Sequence, residues 1–152
     1  MSKIQLDPEL KLICPEFHDI LKVKIISVCN KIGFDDSQVV WWIFDPTNTS
    51  SNRIPNNLLI GKHGRDYGYC DFRSNEIWIS TLALRKSMQE QNQRKRSHIL
   101  GYNKSCEDFL ADVIIDEITH LQTKSHHGTT CYINKYRDNH RLYYSSSCAT
   151  LM

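Results

Sequence analysis

The chain has 152 residues, a formal net charge of +2, 40% hydrophobic residues and 24% charged residues. That size and balance fit one domain spanning residues 1–152 with a buried core, exclude large-scale disorder, and as a sum give no argument for a nucleic-acid partner. The N-terminus carries no apolar signal region and no apolar run approaches membrane-spanning length, so no membrane partner and a cytoplasmic setting are expected, with the nucleus also open.

Asp7-Pro8 has the form of a helix N-cap followed by proline at the first helical position, and Pro15 punctuates before a longer helical pattern from Glu16 to about Lys31. Its apolar stripe is Phe17, Leu21, Ile25, Val28, Cys29 and Ile32, and Gly33 is placed to end the helix in a left-handed cap. Residues 39–44 (VVWWIF) predict a strand, residues 47–57 have loop composition, and residues 58–60 predict another strand. Residues 67–72 and 76–80 flank Arg73-Ser74-Asn75 and predict a hairpin, with Ile77 and Ile79 on one face and Trp78 on the other. A helix from about Thr81 to Gln91 follows.

A second helical pattern begins at Ser105, with Asp108 in capping-box position, and presents Phe109, Leu110, Val113, Ile114, Ile118 and Leu121. Asp116, Glu117 and His120 interrupt this oily element, where unpaired charge is strongly disfavoured. Positions 116 and 120 are one turn apart on the same face, with Glu117 beside them. The polar turn 122–125 then leads to His126-His127-Gly128, which lets an imidazole return toward the helix, with Gly128 allowing a further turn. Asp116-Glu117-Ile118-Thr119-His120 is thus an H-E-x-x-H zinc-peptidase motif with Asp at the first ligand position.

This segment resembles the SprT-like group of zinc metallopeptidases and the related minimal gluzincins, whose pattern is H-E-x-x-H, a short turn and a third His. The similarity extends to Tyr67-Gly68-Tyr69-Cys70, which resembles the family's W-G-x-C strand, and to residues 75–80, so that it covers about residues 60–136. The resemblance implies an α+β, zincin-like fold in which a small antiparallel sheet packs on helices that include a buried metal-binding helix. It further implies Zn²⁺ or another divalent metal as cofactor, Glu117 as general base, Asp116 and His120 as ligands, and a polypeptide substrate lying along the sheet edge near Trp78 and Tyr69. The third ligand is His126 by the six-residue spacing of relatives or His127 by its following glycine. Tyr132 or Tyr136 is a candidate oxyanion donor beside the blander reading of both as packing residues, and His63 and His140 read as surface or structural histidines.

Asp is shorter than His, so a metal held by Asp116 would sit closer to the helix, and an anionic ligand would temper its Lewis acidity. The expected function is a metal-dependent endopeptidase with an atypical site. The alternatives are an impaired pseudo-peptidase serving as a peptide- or nucleic-acid-binding module, and an Asp116–His120 pair without metal. For nucleic acid the relevant segment is 85–104, with six basic residues against one acid, supplemented by Lys135, Arg137 and Arg141. The six cysteines lack C-x-x-C spacing and read as free thiols, so a zinc ribbon like that of some relatives is not expected. Ser145-Ser146-Ser147 reads as a flexible tail.

Overall fold

In the computed structural model, residues 3–6, 16–44, 67–89 and 108–149 are described. They form strand β1 (Lys3–Leu6), helix α1 (Glu16–Ile32), strands β2 (Val40–Phe44), β3 (Gly68–Asp71) and β4 (Glu76–Ser80), helix α2 (81–89), helix α3 (Phe109–Thr123) and helix α4 (Thr130–Ala149). The fold is α+β. The possible N-cap at Asp7-Pro8, the strand at 58–60 and most of the basic segment lie outside the described residues.

The sheet order is β1-β2-β4-β3. β1 pairs with β2 and β2 with β4 in parallel, and only the β3–β4 hairpin is antiparallel. The expected antiparallel sheet is therefore corrected to a mixed one. The reason is connectivity: α1 carries the chain back between β1 and β2, as a parallel pair requires, whereas a tight turn joins β3 to β4. That turn places Asn75 at φ 57° and uses Asp71 Oδ1 to accept from the amides of Arg73 and Ser74 at 3.0 and 3.4 Å.

One sheet face contributes Trp41, Ile43, Ile77 and Ile79 to the main core, where they meet α1 through Leu21, Ile25 and Val28 and α3 through Leu110, Ile114, Ile115 and Ile118. The buried residues of α1 are the predicted stripe, and Gly33 adopts φ +72° at its end. Full burial of each such Leu or Ile side chain contributes about 1.5–3 kcal/mol. Phe44 and Trp78 occupy the opposite face, with Trp42 and Tyr69 against them and the two indoles stacked at 5.0 Å.

Helix α3 starts later than the sequence suggests. Asp108, not Ser105, is its N-cap, accepting from the Ala111 amide at 3.1 Å, and Lys124 closes it in the left-handed region at φ 50°. Asp108 also pairs with Lys24 of α1. Helix α4 was not foreseen, and it absorbs Ser145-Ser146-Ser147, which are helical rather than a tail. Its N-cap is Thr129, whose Oγ1 accepts from the Tyr132 amide at 3.2 Å. Buried Asn139 fixes α4 to α3 by donating to Thr119 Oγ1 at 3.0 Å and Gln122 Oε1 at 2.9 Å.

Candidate metal centre

Helix α3 runs beside the edge strand β3 and packs against α4, and the three elements line an open cavity of about 910 Å³. Asp112, Asp116, Glu117 and His120 from α3, Tyr67–Arg73 from β3 and its flanks, and Tyr132 and Tyr136 from α4 line it, together with His126 and His127. The helical period explains why one strip of α3 serves both purposes: positions 109, 113, 116, 117 and 120 share a side, while Ile114, Ile115 and Ile118 turn into the core.

Asp116, His120 and His127 each offer a ligand atom within 4.8 Å of the others. Asp116 Oδ1 lies 2.8 Å from His127 Nε2 and 3.4 Å from His120 Nε2, and the two Nε2 atoms are 3.0 Å apart. Donors held at 2.0–2.2 Å around a tetrahedral ion stand about 3.3–3.6 Å from one another, so these hydrogen-bonded atoms would spread by a few tenths of an ångström to hold a small divalent cation. His120 Nδ1 is 2.7 Å from the Ser125 carbonyl oxygen, which only accepts, so Nδ1 bears a proton. When the ring is neutral, that leaves Nε2 with its lone pair toward the cluster, the tautomer a metal ligand needs; when the ring is protonated, Nε2 donates to Asp116 instead.

The loop after α3 delivers His127 because its turns are pinned. Lys124, rather than Gly128, supplies its positive φ. Ser125 Oγ donates to Thr123 Oγ1 at 2.8 Å, and the Thr129 hydroxyl lies within reach of Ser125 Oγ and the His126 carbonyl, at 3.0 and 3.1 Å. His126 falls outside the cluster; it is exposed, lines the cavity, and its ring is 6.1 Å from Phe72. The triad therefore includes His127 among the two adjacent histidines.

The electrostatics follow from these contacts. Burial opposes ionisation of Asp116, but hydrogen bonds from His120, Tyr132 and His127 outweigh it and hold the carboxyl below its ordinary value. Burial also opposes charge on His120, yet the Asp116 bond and the Ser125 carbonyl raise its pKa. Burial, reinforced by nearby carboxylates, pushes the Cys70 thiol and the Tyr136 phenol up to about 12 each.

Glu117 is 4% exposed and rests against β3. Gly68 makes this possible, since a Cβ there would stand 3.0 Å from Glu117 Cγ and 3.1 Å from Val113 Cγ1. Of the two residues expected to meet substrate, Tyr69 lines the cavity, while Trp78 is buried against Phe44 and is not part of the lining. Lys86, the second residue of the basic segment, turns its ammonium over the rings of Phe109 at 4.3 Å and Tyr67 at 5.3 Å. His140 lies 3.7 Å from Asp112, within a ladder of rings along α4.

Sequence reasoning missed Gly68 as the seat of Glu117 and Tyr132 as a partner of Asp116. The four-residue spacing of Tyr132, Tyr136, His140 and Tyr144 was the available signal for the second of these, because it places all four on one helix face. No protein-family model, no curated protein and no solved structure matches this chain.

Proposed function

We propose that the chain is a zinc-dependent endopeptidase of SprT-like type, in which Asp116, His120 and His127 hold the metal and Glu117 is the general base. The observation that carries this reading is the convergence of one carboxylate oxygen and two imidazole nitrogens beside a buried glutamate in an open cavity. Two imidazoles and one carboxylate are also the donor set of hydrolytic zinc sites, where the carboxylate is Glu; here it is the shorter Asp and comes first along the chain. The Asp at the first motif position thus exchanges places with a ligand type rather than removing one. A zincin-like arrangement is further supported by the antiparallel edge strand beside the motif helix.

A bound divalent ion would supply Lewis acidity toward a carbonyl and toward water. Glu117, on the adjacent helix position and lining the same cavity, accepts the proton from water and returns it to the departing amine. β3 lies at the sheet edge, and an extended polypeptide added there would present its backbone to the cluster. Low exposure of Glu117 limits competing solvation of its carboxylate.

Metal analysis of untagged protein should give close to one zinc per chain, and less than about a tenth of an equivalent would reject the metal reading. Glu117→Gln should keep the zinc and lose about 10²- to 10⁴-fold in peptide hydrolysis. If hydrolysis is unchanged in Glu117→Gln, the peptidase reading fails and the cavity is left as a peptide-binding groove.

A further inference from the structure

We infer that Tyr132 is a positioning residue that orients the Asp116 carboxylate for metal binding. This rests on the reading of Asp116, His120 and His127 as metal ligands. The problem it solves is geometric. An Asp carboxylate offers two equivalent oxygens at the end of a broad last torsion, so a fixed donor selects which oxygen faces the cluster.

Tyr132 contacts all three members of the cluster. Its hydroxyl donates to Asp116 Oδ1, its ring stacks on His120 at 4.6 Å and 25°, and its edge meets His127 at 4.9 Å and 78°. The oxygen that accepts from Tyr132 is the one lying 2.8 Å from His127 Nε2. The same oxygen therefore meets the phenol and, at 2.8 and 3.4 Å, the two imidazoles. Carboxylates that bind metals are characteristically held in this way by an outer hydrogen bond.

The phenol is itself fixed. Tyr132 is the third residue of α4, its amide is bound by the Thr129 cap, and its ring stacks on Tyr136 at 5.8 Å. Helix α4 therefore reaches the metal helix through a rigid contact.

The test is a double-mutant cycle in zinc affinity, read by competition with a chromophoric chelator, for the natural protein, Tyr132→Phe, Asp116→Ala and the double variant. Phe keeps the ring contacts and removes only the hydroxyl. Tyr132→Phe should weaken zinc about 10- to 100-fold in the natural background and less than about 2-fold in Asp116→Ala. It should also change the visible spectrum of the cobalt(II) form, which reports ligand geometry. Unchanged affinity in Tyr132→Phe, or equal losses in both backgrounds, would overturn the role of Tyr132 while leaving the metal site intact. A natural protein that takes up no zinc would overturn the metal reading and this inference together.

Discussion

Gly68 has no side chain in the place where Glu117 lies against β3, and a methyl group there would meet Glu117 Cγ at 3.0 Å and Cδ at 3.2 Å. Because the neighbouring wall is Val113 at 3.1 Å, the glutamate has little room to give way. Gly68→Ala should therefore lower hydrolysis by about 10- to 100-fold, the size of effect that misplacing a reacting group by about an ångström produces. Its zinc content should remain that of the natural protein, and parallel assays of metal and activity check the separation. Thiol chemistry offers an independent check at the same scale. Cys29 and Cys70 are pushed up to about 12, chiefly by burial, and so stay protonated at pH 8, where roughly one part in ten thousand would be thiolate. Cys131 is exposed, so alkylation followed by mass spectrometry should modify it before Cys29 and Cys70.

The pairing of α3 with α4 determines whether these residues meet at all. The two helices are joined by Asn139 in the middle and by Tyr144 at the far end, where the Tyr144 hydroxyl donates to Asp112 at 2.6 Å and accepts from the Asp108 amide at 2.7 Å. Asn139→Ala removes buried hydrogen bonds to Thr119 and Gln122 and should cost about 1–3 kcal/mol in denaturant unfolding. Thr129→Ala removes the α4 cap and should cost about 1 kcal/mol, with a larger proportional loss of zinc affinity because the same loop carries His127. The α1 and α3 helices were legible in the sequence because their inward faces are aliphatic and repeat with helical period. Helix α4 was not, because its inward face is made of Tyr132, Tyr136, Asn139, Tyr143 and Tyr144, residues whose polar ends obscure an apolar pattern. The order of the sheet was hidden for another reason: whether β1, β2 and β4 run parallel depends on crossovers between distant segments, whereas the β3–β4 hairpin is encoded in its own turn.

For the whole molecule, the proposed metal site would link metal binding to stability, since its candidate donors come from one helix and the loop beyond it and are brought together only by folding. Zinc at about a hundred times its dissociation constant should stabilise the protein by about 2.7 kcal/mol relative to the chelated form. Thermal unfolding with and without chelator should then differ by several degrees, and Asp116→Ala should abolish most of the difference. Among the described residues no helix is long and apolar enough to cross a membrane. The sequence by itself determined the motif: Asp116 and His120 share a face because a helix repeats every 3.6 residues, and Glu117 follows at the next position. Only the tertiary structure decided that His127 rather than His126 joins them, that Trp78 lies outside the cavity, and that Tyr132 reaches Asp116. Those outcomes depend on the turn at Lys124 and on the packing of α4 across α3, and contacts between elements leave no local periodicity in the chain.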